Sequence, residues 1–297
     1  MNLRPAALFV LCLLAVGGCS SAPAHRDAST LPVPLDGATV VPERQAGTLY
    51  EAEERAVDAC MTGRGFAYDP VPAGRRPVSA NPYGLLTEDA ANADGYGLAS
   101  AALDGRPVDP NGPALAKLPE ARRTAWQAAL IGTGKRQVTL TANGAPSLRV
   151  NTDGCVYLAR REVYGAAWEQ AEVDATGAST EIVARVAAVP AFLAAQRTWA
   201  ACMAEQGEQV TTLQEARGLV QDAVIAAGDD RQALLRTGRR EQELARRDAL
   251  CQDRAGLAEV VRATQEDVQS RLPKASWAKA TRVRELREHA LRKTGGV

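Results

Sequence analysis

The chain is poor in the residues that most catalysis and cofactor binding depend on. Only two histidines, three methionines and 13 aromatic residues occur among 297. His25 falls in a Pro- and Ala-rich stretch and His289 among Arg287, Glu288 and Arg292, where nothing positions an imidazole. A Ser-His-Asp triad is excluded on that ground, and no Gly-x-Ser-x-Gly elbow occurs. The absence of Gly-x-x-x-x-Gly-Lys-[Ser/Thr] and of His-Glu-x-x-His removes the phosphate loop and the zinc hydrolases. Excess charge is missing as well: 35 Lys and Arg balance 35 Asp and Glu, so no nucleic-acid partner is expected. After the first twenty residues there is no long apolar run, and Val186 to Gln196 is interrupted by Pro190. Apolar residues still make up 46%, too many for a disordered chain.

What is present starts at the N-terminus. Arg4 precedes an apolar run from Ala6 to Val16, followed by Gly17, Gly18 and Cys19. Eleven apolar residues are too few to cross a bilayer as a helix, and the small residues behind them mark residues 1–18 as a signal peptide. Leu14-Ala15-Val16-Gly17-Gly18-Cys19 resembles the bacterial lipobox, which implies acylation of Cys19 and a lipid anchor at the extracytoplasmic face of the cell membrane. Ser20 supplies no acidic signal for retention at an inner membrane. Residues 19–46 carry Pro23, Pro32, Pro34 and Pro42 with no apolar period and read as a tether, with a span of roughly 30 Å.

Four further cysteines remain: Cys60, Cys155, Cys202 and Cys251. An even count in an exported chain points to two disulfides, with three possible connectivities; no Cys-x-x-Cys spacing suggests a metal. Each internal methionine follows a cysteine, and glycine stands five residues beyond that cysteine: Cys60-Met61 with Gly65, Cys202-Met203 with Gly207. Aligning Glu54–Gly65 with Gln196–Gly207 matches five of twelve positions, consistent with a duplicated helix and glycine C-cap or with a shared packing constraint. Under duplication each half owns one bridge, giving Cys60–Cys155 and Cys202–Cys251. The expected halves are residues 47–175 and 176–297.

Helical periodicity dominates, so the fold class is mainly α, a disulfide-stapled helical bundle. Leu49, Ala52, Ala56, Val57, Cys60 and Met61 share one helix face. Pro119 and Gly132 bracket a helix over Glu120–Ile131, and Thr212 to Glu215 forms a capping box for a helix to about Ala227. Asp153 is placed to cap the helix carrying Cys155. One long helix is expected to run from Leu244 to Leu272 and stop at Pro273, with a last helix over residues 276–293. A small hairpin is expected over residues 138–142 and 146–150, joined by Asn143-Gly144 as a two-residue turn. Between Phe66 and Leu118 lies a long Pro/Gly-rich loop region with short helices near residues 88–93 and 98–103.

Cys60-Met61 with Gly65-Phe66, Gly95-Tyr96-Gly97, Gly154-Cys155 with Tyr164-Gly165, and Ala245, Asp248 and Cys251 at their spacing resemble uncharacterised actinobacterial secreted lipoproteins. The resemblance covers most of residues 50–260 and implies location and disulfides, with no activity attached. Glu208 departs from it, standing where the second motif carries an aromatic.

Two surfaces are candidates for contact. Tyr68, Tyr83 and Tyr96 share the irregular region, where exposed rings would stack on sugar or peptide. Lys274, Trp277, Lys279, Arg282 and Arg284 belong to a basic amphipathic helix suited to anionic lipid. Asn92-Ala93-Asp94-Gly95 fails as a calcium loop, because Ala90 and Ala101 occupy ligand positions. No cofactor is expected. The composite reading is a non-enzymatic binding or scaffolding module of the envelope, its partner a wall polymer or another envelope protein. The alternative is an envelope enzyme acting on wall polymer through paired carboxylates, which needs only two acids brought together by the fold.

Overall fold

The computed structural model describes residues 31–73, 81–105, 109–142 and 147–295. The signal peptide, Cys19 and the turn pair Asn143-Gly144 lie outside these residues. After a 3-10 turn at Pro34–Gly37, the helices are α1 (Glu43–Gly63), α2 (Glu88–Asp94), α3 (Leu98–Asp104), α4 (Gly112–Ala116), α5 (Glu120–Ile131) and α6 (Cys155–Tyr164). They continue as α7 (Trp168–Ala187), α8 (Pro190–Glu205), α9 (Leu213–Ala227), α10 (Arg231–Arg254), α11 (Leu257–Ser270) and α12 (Lys274–Thr294). Strands β1 (Gln137–Leu140) and β2 (Leu148–Asn151) form one antiparallel hairpin. The protein is a mainly helical bundle carrying two disulfides.

Several elements begin and end where their residues dictate. Helix α5 starts behind Pro119 and closes at Gly132, and the capping box of α9 is complete, with Thr212 Oγ1 accepting from Glu215 N–H and the Glu215 carboxylate accepting from Thr212 N–H. Both Cys-Met helices end alike. Met61 C=O accepts from Phe66 N–H at 3.0 Å, and Met203 C=O accepts from Glu208 N–H at 2.9 Å, each across a glycine at positive φ (Gly65 +74°, Gly207 +84°). Both methionine side chains are fully buried. The disulfides are Cys60–Cys155, joining α1 to α6, and Cys202–Cys251, joining α8 to α10. The repeat does not extend to the partners, because Cys155 opens α6 whereas Cys251 lies in the last turn of α10.

Four expectations are corrected. The stretch from Leu244 to Leu272 is two helices, since Gly256 takes a left-handed φ of +62° between α10 and α11. Leu140 pairs with Leu148, whereas a two-residue turn at 143–144 would pair it with residue 147; the register is shifted by one. Asp153 does not cap α6. Its carboxylate accepts from the backbone and hydroxyl of Thr133, which holds it below the usual carboxylate range. Residues 31–46 are not a free tether. Leu35 and Ala38 are buried, and the backbone here is held by side chains from distant helices: Leu35 N–H donates to Gln269 Oε1, Val33 C=O accepts from Gln265, and Val40 C=O accepts from Arg287. Helix α1 already begins at Glu43.

The boundary at 175/176 also fails as a division of the fold. Helix α7 runs straight through it, α12 packs on α1, α6 and α7, and α2 and α3 pack on α10. Each half supplies elements that complete the other's core. The bridges stay within their sequence halves while the packing does not.

Candidate functional site

The tyrosines expected to be exposed are core residues. Tyr83 and Tyr96 are buried, and their hydroxyls donate to Gln265 Oε1 and Asp248 Oδ2, each at 2.8 Å. Tyr68 is half-buried against Trp126 and donates to Glu54. The described parts of the irregular segment are held by a row of buried polar side chains on helices α10 and α11. Glu241 accepts from the N–H groups of Leu98 and Ala99, Gln252 accepts from Leu86 N–H and donates to Gly84 C=O, and Asp248 accepts from Tyr96, Trp199 and Gln252. Burial pushes the Asp248 carboxyl up to about 6, against the opposing pull of these three donors.

The basic helix is turned the other way from the expected membrane face. Helix α12 buries Ala280, Val283, Leu286, Arg287, Ala290 and Leu291. Trp277 packs on the core, Lys279 pairs with Asp174 at 3.2 Å, and Arg284 donates to Leu35 C=O. Of the five residues proposed for lipid contact, Lys274 and Arg282 are exposed, and Arg282 is paired with Glu285. The apolar stripe is satisfied inside the protein, so it cannot also enter a bilayer.

A cleft of about 760 Å³ gathers chemistry that no segment carries alone. Its walls are residues 39–43 and the first turns of α1, the end of α6, the start of α7, and α12. On its floor the rings of Tyr164 and Trp168 stack, with centroids 4.0 Å apart and planes 14° from parallel. Gly165 ends α6 and lets α7 start three residues later, which is what sets the two rings face to face. Tyr164 donates to Glu53 Oε1 at 2.5 Å, and burial with Glu53 beside it pushes the phenol up. Arg160 pairs with Glu172 and, at 3.3 Å, with Glu169. Burial lifts Glu169 above its usual range although Arg160 opposes this, while the two glutamates together outweigh burial and hold Arg160 firmly protonated.

Three polar groups in and beside the cleft are under-used, Glu169 lying outside its lining. Trp168 Nε1 and Glu169 Oε1 are buried without a hydrogen-bond partner. Arg287 is only 9% exposed and donates only to Val40 C=O, at 3.3 Å. Burial lowers its proton affinity. A second cavity of about 500 Å³, between Leu31, Leu85, Tyr96 and Leu213, is mainly apolar, with Asp94 and Arg217 among its lining residues.

Among the described residues no group of three His, Cys, Asp or Glu side chains lies close enough to hold a metal ion, and no single helix is long and apolar enough to cross a membrane. Sequence reading missed the cleft. Glu169 and Glu172 lie three apart on a helix, which is legible, but Arg160, Glu53 and Arg287 reach them from three other helices. The chain matches no protein-family model, no curated protein and no solved structure.

Proposed function

We propose that this is a lipid-anchored binding module of the cell envelope, and that the cleft between α1, α6, α7 and α12 is its binding site. Two long-range disulfides suit an oxidising compartment, and the lipobox at Cys19 suits an anchor there. The observation that carries the site is the cleft itself, a concavity of ligand size with an aromatic floor and buried polar atoms left unpaired. Glu53 and Glu172, two of the three acids of the cleft, have partners inside the protein, which favours holding a ligand over cleaving one.

The test uses the mature chain from residue 19 carrying Cys19→Ser, sedimented with purified wall sacculi and, separately, with anionic liposomes. Thr176→Trp blocks the cleft mouth from an exposed position of α7. Salt-resistant binding to sacculi that Thr176→Trp abolishes is the expected result. Binding to liposomes alone, or sacculus binding indifferent to Thr176→Trp, would overturn the assignment.

One observation favours the second reading, a wall hydrolase. Glu169 and Glu172 share a single guanidinium, and burial raises the Glu169 carboxyl above its usual range. Release of soluble fragments from sacculi, lost in Glu169→Gln, would establish it.

A further inference from the structure

We infer that the ligand of this cleft is a small zwitterion of amino-acid or dipeptide size, whose carboxylate is held by Arg287 with the Trp168 indole N–H as a second donor. This rests on the cleft being the binding site, and it names the chemistry that site accepts.

Arg287 carries five N–H donors in a planar fork. One reaches Val40 C=O at the long distance of 3.3 Å, and no carboxylate of the described residues pairs with the group. An unpaired guanidinium at this depth is expensive unless something from outside completes it. Glu172 lies close enough to support its charge, yet Arg160 already occupies that carboxylate. Trp168 lines the same cleft, and its buried Nε1 has no acceptor among the described residues. The guanidinium donors left over call for an oxyanion, and the fork matches a planar carboxylate through two parallel hydrogen bonds.

The rim decides which oxyanion. Glu43, Glu53 and Glu172 line the cleft against Arg160 and Arg287, so the lining is one negative charge in excess. A phosphate dianion would enter against that excess. A zwitterion adds no net charge, and its ammonium meets the glutamate rim while its carboxylate meets the floor. The stacked rings of Tyr164 and Trp168 offer apolar contact to whatever lies between the two ends.

Isothermal titration of the mature Cys19→Ser chain with L-alanyl-L-alanine, with its C-terminal amide and with its N-acetyl form tests this. The dipeptide is expected to bind, and the amide to bind at least about tenfold more weakly. Arg287→Gln, which removes the guanidinium fork and keeps a polar side chain, should weaken the dipeptide by about tenfold or more with the circular dichroism unchanged. Trp168→Phe keeps the ring stack, removes the donor and should weaken it several-fold. Equal binding of acid and amide would overturn the carboxylate assignment, as would a folded Arg287→Gln with wild-type affinity. Should Arg287→Gln fail to fold, the acid–amide comparison on the unaltered protein decides alone. No heat with any of the three ligands up to about 10 mM would also overturn it. That last result leaves the cleft itself to the sacculus experiment with Thr176→Trp, so the two failures are told apart.

Discussion

Asp248 joins the irregular segment to the helical core through three donors, from Tyr96, Trp199 and Gln252. Its carboxyl titrates near 6 in the fold against 3.8 in an exposed chain. Below 3.8 both states hold the proton. Between 3.8 and about 6 the folded state holds more protons, so this group's contribution to stability is lost as pH rises through that window, by on the order of 3 kcal/mol. Asp248→Asn should therefore show a flatter stability profile from pH 4 to about 6 than the wild type, because the Tyr96 hydroxyl can turn and accept from the new amide. Urea melts at several pH values read the difference. Asp248→Ala leaves the Trp199 and Gln252 donors unpaired and should cost about 3–5 kcal/mol near pH 4, and correspondingly less above pH 6, where the wild type has lost this group's contribution. Glu208 shows the same logic with the opposite sign. Burial pushes it up, but Arg240 and Arg247 hold it below its usual range. The residue after each repeated glycine faces arginine: Glu208 pairs with Arg240 and Arg247, and Phe66 lies under Arg122, with the guanidinium 4.3 Å from the ring centroid.

At the scale of elements, local signals succeed where the determining contacts are local. Pro119, Gly132 and the Thr212 box mark helix ends through hydrogen bonds within one turn, and the helix bounds follow. Thr212→Ala should cost about 1 kcal/mol, measured by thermal melting. Asp153 carries a comparable capping signal, but Thr133 captures it from twenty residues away. Helix α12 teaches the same lesson about surfaces. Its stripe of Ala280, Val283, Leu286 and Ala290 is legible, yet the stripe does not say whether lipid or protein covers it. α7 and α1 cover it, so doubling the anionic lipid of a vesicle should leave binding of the Cys19→Ser chain unchanged.

For the whole molecule, the interleaving of the halves predicts how stability responds to cutting and reduction. A chain beginning at Pro42 loses Leu35 and Ala38 from the core, and strips Gln265, Gln269 and Arg287 of backbone partners. It should be about 4 kcal/mol or more less stable than the mature chain in urea titration. A tether by nature would cost nothing. The bridges close loops of 95 and 49 residues, and replacing either pair by alanine should cost about 2–5 kcal/mol. A non-reducing peptide map should recover Cys60 with Cys155 and Cys202 with Cys251.

The sequence by itself determined the helical class and most helix ends, because these depend on periodicity or on capping within a turn, and the cysteine count pointed to two bridges whose pairing followed only if the repeat is a duplication. It was silent on the cleft and misjudged the tyrosines and the basic helix. Glu53, Arg160, Glu172 and Arg287 meet only when α1, α6, α7 and α12 pack, and none of their local patterns differs from that of a solvated helix face. Tyr83 and Tyr96 sit in a Pro/Gly-rich stretch that looks exposed until Gln265 and Asp248, more than 150 residues away, give their hydroxyls somewhere to go. Whether a polar or aromatic side chain is buried is decided by its partner, and here the partners are distant in sequence.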